Sequence, residues 1–224
     1  MTSQQHKNLL KKKEREPYTT IYLIRHCNPD YNLESVVGSD NMPLSKEGLK
    51  ERRLLTRRLL TLEIEKAYSS EFLRARETAE SFAKIAKKRV MVDPRFNEVD
   101  WLEWHRVKFF NVAEKNRYKH LKNYRKLDKD LDELQAKARV ALMDIYKKNK
   151  GKTVAVFCHG NIIKAMLTSI LNADIIGFLS LEVFQASINK LMIDKNGVVK
   201  INFINSVSHL RKIPVEDLFV TLKD

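Results

Sequence analysis

Two histidines in this sequence each follow a short apolar run and stand beside a residue suited to an anion. Arg25-His26 closes Tyr18-Thr-Thr-Ile-Tyr-Leu-Ile24, and Cys158-His159-Gly160 closes Thr153-Val-Ala-Val-Phe157. A histidine just past a buried strand has a fixed backbone and an exposed ring. Unprotonated and correctly aimed, imidazole is a competent nucleophile toward phosphorus near neutral pH. The guanidinium of Arg25 can bind phosphate oxygens bidentately. At His159 the strand hands over to a helix, whose first N–H groups favour an anion, and Gly160 lets the backbone approach closely. The stretch Ser69-Ser-Glu-Phe-Leu-Arg-Ala-Arg-Glu-Thr-Ala79 puts a basic residue, Arg74 or Arg76, on a helix at the same sheet edge. Finally, Phe96-Asn-Glu98 places a carboxylate before an aromatic stretch, a setting that raises its pKa and suits a general acid. Each group alone also reads as an ordinary structural or surface residue. His6, His105, His120 and His209 show no ligand spacing, so neither a metal nor another cofactor is expected.

The elements that must position these groups alternate in type. Residues 1–17 are expected to form a basic, polar N-terminal tail, and residues 18–224 one folded domain that holds all of these groups. Tyr18–Ile24 and Thr153–Phe157 carry apolar residues on both parities, as strands covered on both faces do. Residues 28–43 hold Pro29, Gly38 and Pro43 and read as a loop. Ser45 can cap a helix running to about Glu63, with Leu49, Leu55, Leu59 and Leu62 on one side. A strand over Lys66–Ser70 leads to a helix with period Phe72, Ala75, Ala79, Phe82 and Ala86, then a strand at Val90–Val92. Residues 106–127 look like a helical cap. Leu131, Leu134, Ala138, Leu142 and Ile145 mark an amphipathic helix, and Asn161–Leu171 another. Phe184–Ile193 and Val198–Ile204 flank Asp194-Lys-Asn-Gly197, a hairpin pattern. The expected fold is α/β in three layers: a mostly parallel sheet with an antiparallel edge and helices on both faces. In such sheets ligands bind at the carboxyl ends of the strands.

Composition bounds the function less sharply. The net charge of +14 draws in anions of many kinds. The basic residues are spread over several runs, each readable as a solvated helix face, so nucleic acid is not the expected partner. No apolar run approaches a membrane span. The two cysteines, Cys27 and Cys158, are not a disulfide framework and fit a reducing compartment, so a cytoplasmic location is expected. An inert buried thiol is the simpler reading of both, and they could lie close together.

Taken together, the ordered residues resemble the histidine phosphatase superfamily, which includes the phosphoglycerate mutases. Its Arg-His-Gly motif looks like Arg25-His26-Cys27, and its later loop asparagine matches Asn32. Its Pro-Leu-Ser/Thr and Gly match Pro43, Leu44, Ser45 and Gly48. Its Ser-x-Leu-x-Arg-Ala-x-x-Thr-Ala is similar to Ser70–Ala79, with Phe72 for the leucine and Arg74 as the clamp. Its acid matches Glu98 in Glu98-Val-Asp-Trp101, and its Ser-His-Gly-Gly matches Cys158-His159-Gly160-Asn161. The hairpin and Asn205-Ser-Val-Ser-His-Leu210 look like the branch that hydrolyses small phosphate esters. The resemblance spans about residues 20–212.

This resemblance implies a phosphoglycerate-mutase-like fold and a phosphomonoester hydrolase that needs no metal. His26 would take the phosphoryl group; Arg25, Arg74, His159 and Gly160, helped by Asn32, would hold it; Glu98 would move the proton. The substrate would be a phosphorylated small molecule or a phosphoprotein. A mutase, a protein phosphatase and a non-catalytic binder of phospho-ligands or nucleic acid are the alternatives. Two departures stand out. Cys27 replaces a glycine and is expected to narrow the phosphate pocket. Trp101-Leu-Glu-Trp-His-Arg106 replaces the usual aromatic-Gly-x-Trp-Glu-Gly, with His105 and Arg106 near the substrate mouth and Trp101 and Trp104 as packing residues.

Overall fold

Strand β1 (Thr19–Arg25) lies in the middle of a six-stranded sheet and is covered on both faces. The computed structural model describes residues 18–99, 122 and 124–211. The tail, Trp101, Trp104, His105 and Arg106 therefore lie outside the described residues. So does most of the expected cap at 106–127; of it, Lys122 and Tyr124 are helical and Arg125–Leu127 forms a 3-10 turn.

The described chain continues through α1 (Glu34–Val37), α2 (Lys46–Leu59), β2 (Lys66–Ser69), α3 (Leu73–Ala86) and β3 (Val90–Val92). After the break come α4 (Asp128–Lys148), β4 (Thr153–Cys158), α5 (Gly160–Leu171), α6 (Ile175–Ser180), β5 (Ile188–Ile193) and β6 (Val199–Ser206). The sheet order is β3-β2-β4-β1-β5-β6. β1 to β4 run parallel to one another; β5 pairs antiparallel with β1, and β6 antiparallel with β5. The expected three-layer architecture with an antiparallel edge is what forms.

The strand pattern explains the layers. Side chains alternate across a strand. Ile21, Leu23, Val154, Val156 and Cys158 therefore face α4, α5 and α6. Tyr22, Ile24, Ala155 and Phe157 face α2 and α3. On that second side Phe82 and Phe157 meet at 6.3 Å between ring centroids. Both are fully buried, so truncating Phe82 to alanine costs about 3–5 kcal/mol.

Two local expectations are corrected. Leu49 does not join the buried side of α2; it is 45% exposed. At about 100° per residue it sits roughly 120° round the helix from Leu55. Gly48, Leu55, Thr56 and Leu59 face inward instead, and Leu62 lies beyond the helix end. Residues 184–187 are a turn rather than the start of a strand, because Ala186 adopts a left-handed conformation at φ 56°. Helix α6 was not legible from period; Asp174 starts it by accepting the N–H groups of Ile176 and Gly177, each at 3.1 Å.

Candidate active site

The parallel pairing of β1 with β4 sets Arg25 opposite Cys158. The next residue of each strand is then a histidine at the carboxyl edge of the sheet, with ring centroids 5.1 Å apart. The His26 N–H donates to Cys158 O at 2.9 Å. Both rings are buried, His26 at 2% and His159 at 0% exposure.

His26 is aimed by its own neighbour. Nδ1 is 2.8 Å from the Cys27 carbonyl, which can only accept, so Nδ1 carries the proton. Nε2 then holds a lone pair, and Arg74 Nε donates to it at 3.3 Å. Burial, then the positive charges of Arg74 and Arg25 with the neighbouring His159, hold the ring's pKa well below the usual histidine range. The ring is neutral and its unprotonated nitrogen faces the guanidinium of Arg74.

Arg74, not Arg76, is brought to the site. It is 4% exposed on α3, whereas Arg76 faces solvent. Its guanidinium also donates to Ser39 O at 2.6 Å and lies 4.9 Å from the centroid of Phe72. That ring in turn meets His159 edge-on at 5.1 Å. Arg25 donates to Val183 O at 2.5 Å. Its guanidinium packs on Gly160, where an added Cβ would stand 3.3 Å from it.

Glu98 reaches the site from the segment after β3. Asp93 caps a 3-10 turn at Pro94–Phe96, whose Phe96 is buried. Asn97 then ties to Glu71 through two bonds of 2.9 Å, next to the Ser70 turn. The Glu98 carboxylate accepts Val99 N at 3.1 Å and Asn161 N, in the first turn of α5, at 3.5 Å. Burial raises its pKa above the ordinary carboxylate range, although Arg25, those two N–H groups and Arg74 pull the other way. A carboxyl group with a raised pKa can, in its protonated form, deliver a proton to a leaving oxygen.

Asn32 stands apart from these groups. It is exposed in a 3-10 turn, and its amide donates to Asp30 at 3.2 Å. The residue after His26 also differs from expectation. Cys27 does not narrow the phosphate pocket: its side chain is buried with Ile24, Leu44, Leu55 and Ala79. Its φ is not positive, so this position does not need glycine. Cys158 packs on the opposite side of the sheet, and both thiols are free. Burial pushes both thiol pKa values up, so neither is a reactive thiolate.

The loop from Cys27 to Leu44 is held by side chains that periodicity does not mark. Thr78 accepts Cys27 N at 2.9 Å, Glu51 accepts Asn28 N at 2.7 Å, and Glu77 accepts Leu44 N at 2.7 Å. Ser45 caps α2 and donates to Asn28 Oδ1 at 2.7 Å. Gly48 must lack a side chain because a Cβ there would lie 2.0 Å from Asn28 O. The turn before β5 is a second support. Ser187 O accepts Arg25 N, Ala186 N donates to His26 O, each at 3.1 Å, and Gln185 accepts from Asn28 at 2.7 Å. Asn205 fixes this turn through Phe184 N at 2.6 Å and reaches Asn189 at 2.7 Å. The sequence signals for it are Asn205, in the stretch that resembles the family, and Asn189, a buried amide in β5. Among the described residues no three His, Cys, Asp or Glu side chains gather as metal ligands.

Two arginines, two neutral histidines and a buried carboxyl whose pKa is raised gather at one sheet edge. The description of the histidine phosphatase superfamily (branch 1) matches residues 21–206, and the chain belongs to that family. It is a histidine phosphatase, an enzyme of phosphate monoester hydrolysis. A putative phosphoserine phosphatase of Hydrogenobacter thermophilus is 22% identical over 86% of this chain and 98% of its own. A probable phosphoglycerate mutase of Enterobacter sp. is 26% identical over 67% of this chain and 74% of its own. In structure the chain is similar to a phosphoserine phosphatase of Entamoeba histolytica, with TM-score 0.68, 21% identity and coverage of 86% and 99%. A mycobacterial glucosyl-3-phosphoglycerate phosphatase has TM-score 0.64, 18% identity and coverage of 84% and 99%.

Proposed function

We propose that the chain hydrolyses small phosphate monoesters in two displacements at His26. The observation that carries this reading is the hydrogen bond from His26 Nδ1 to Cys27 O, which leaves Nε2 as a lone pair beside Arg74. In the first step Nε2 attacks phosphorus in line, the bond to the ester oxygen breaks, and Glu98 gives that oxygen its proton. The products are phosphohistidine and an alcohol. In the second step Glu98 takes a proton from water, the water oxygen attacks phosphorus, and the P–N bond breaks to release phosphate. Arg25, Arg74, His159 and the α5 N-terminus at Gly160 hold the equatorial oxygens and supply fixed positive charge where negative charge develops. Asn32 joins them only by leaving Asp30.

Relatives named for phosphoserine and glucosyl-3-phosphoglycerate support carboxylate-bearing monoesters as the substrate class. The relative named a phosphoglycerate mutase supports a second reading, transfer back to the dephosphorylated product. No helix among the described residues is long and apolar enough to cross a membrane, and two unpaired buried cysteines support a reducing, cytoplasmic setting. Phosphate release from p-nitrophenyl phosphate, phosphoserine and 3-phosphoglycerate, measured in EDTA with wild type and His26→Ala, tests the reading. Turnover with an acid-labile phosphoenzyme in the wild type alone is the expected result. Absence of turnover, or equal turnover in the variant, overturns it. Interconversion of phosphoglycerates without net phosphate release selects the mutase reading.

A further inference from the structure

The two nitrogens of His159 have different surroundings. Nε2 lies 2.7 Å from Ser70 Oγ. Nδ1 is buried and has no hydrogen-bond partner among the described residues. Ser70 is itself fully buried, and its hydroxyl has a single proton to give. Its oxygen already accepts the Phe72 N–H at 3.0 Å.

Two arrangements are then open. If Nε2 carried the proton, it would donate to Ser70 Oγ, and the Ser70 proton would need another acceptor. Among the described residues the Ser70 hydroxyl makes no hydrogen bond other than those with Phe72 N and His159 Nε2. A buried donor would go unmatched, and the bare lone pair of Nδ1 would be left for an anion to meet. If Ser70 donates to Nε2, every proton on this side is used, and Nδ1 carries the N–H. Burial and the charges of Arg74 and Arg25 keep the ring neutral, so it has one N–H only. Phe72 adds to this twice: its backbone commits the Ser70 oxygen as an acceptor, and its ring packs edge-on against His159 at an interplanar angle of 67°.

We propose that Ser70 is a positioning residue that fixes His159 as an Nδ1–H donor to the transferred phosphoryl group. The inference rests on the phosphoryl-transfer reading for its ligand, but the tautomer can be read without turnover. Nitrogen-15 NMR of the histidine-labelled wild-type protein at pH 7.5 is expected to show His159 with a protonated Nδ1 and an unprotonated Nε2. The opposite tautomer overturns the proposal. Ser70→Ala is expected to move the His159 signals toward a tautomer mixture. It is expected to weaken vanadate binding by roughly 10- to 100-fold, less than deleting a donor to the transition state outright. Phosphohistidine still forms at His26 in this variant, which separates a failure here from a failure of the reading. Unchanged vanadate affinity in a folded Ser70→Ala protein counts against the role. His159→Asn keeps an amide N–H near the Nδ1 position and His159→Gln near that of Nε2. The asparagine variant is expected to bind vanadate at least about 10-fold more tightly, and the reverse order refutes the assignment even if Ser70→Ala does not fold.

Discussion

Strands β1 and β4 are parallel neighbours in register, and each ends in a histidine, yet the two ends are built in opposite ways. At the β1 end Nδ1 of His26 is anchored on Cys27 O and Nε2 keeps a lone pair beside Arg74. At the β4 end Nε2 of His159 is anchored on Ser70 and Nδ1 remains. The following residues differ as well. The Cys27 side chain turns into the apolar layer under α2 and α3, whereas Gly160 faces the guanidinium of Arg25. One scaffold thus holds one ring by Nδ1 and its neighbour by Nε2. The anchor chosen for each ring makes the difference, not the ring itself.

The largest expected effect tests that asymmetry directly. His26→Ala lowers kcat/KM on the order of 10⁴-fold or more and abolishes the phosphoenzyme. His159→Ala costs about 10²–10³-fold and leaves a phosphohistidine that can be trapped and detected by phosphorus NMR. Equal losses, with no phosphoenzyme in either, would erase the distinction between the two ends.

In the proposed reaction Glu98 serves the leaving group rather than either histidine. Glu98→Gln is expected to lower turnover of alkyl phosphates by about 10²–10⁴-fold. Turnover of p-nitrophenyl phosphate, whose leaving group needs no proton, should suffer much less. The raised pKa of Glu98 keeps it protonated past the ordinary carboxylate range, so kcat/KM for alkyl esters falls as pH rises through that pKa. The variant's pH profile should lose this limb; a limb that persists assigns it to another group.

The residues after the histidines give the next two measurements. Gly160→Ala pushes a methyl against Arg25, which must shift by a few tenths of an ångström. A loss of roughly 10-fold in kcat/KM is expected, with an unfolding midpoint close to wild type. Cys27→Gly should do the reverse. It opens a space in the apolar layer and lowers stability by roughly 1–3 kcal/mol in urea titration, while kcat/KM stays within about 3-fold by the additivity expected of a group outside the site. A gain in activity would mean that the Cys27 side chain does obstruct the pocket. The smallest effect belongs to Asn32. With its amide on Asp30, Asn32→Ala is expected to change kcat/KM less than about 5-fold, about the worth of one neutral hydrogen bond. A larger loss would show that the loop moves to bring Asn32 onto the phosphoryl group.

Much of this arrangement was legible in the chain. The apolar runs of β1 and β4 ending in histidines, the helical spacing of Ala75, Ala79 and Phe82, and the hairpin around Asp194–Gly197 each follow from local period and turn chemistry. They were enough to set both histidines at one sheet edge and to anticipate the parallel core. Register did the rest, since pairing Arg25 with Cys158 leaves no other place for the two rings. Supports made by single polar side chains were not legible. Thr78, Glu51, Glu77, Ser70 and Gln185 hold the site through bonds to residues far away in sequence, and no periodic pattern records such partners.

By itself, then, the order of residues determined the layers, the strand ends and the chemical types gathered there, because burial follows from patterns of period two and 3.6. Only the tertiary structure turned Cys27 away from the pocket and left Asn32 on Asp30. It also chose which nitrogen of each histidine is held. These choices depend on where one side chain packs or on one hydrogen bond. Such quantities exist only once the elements have packed.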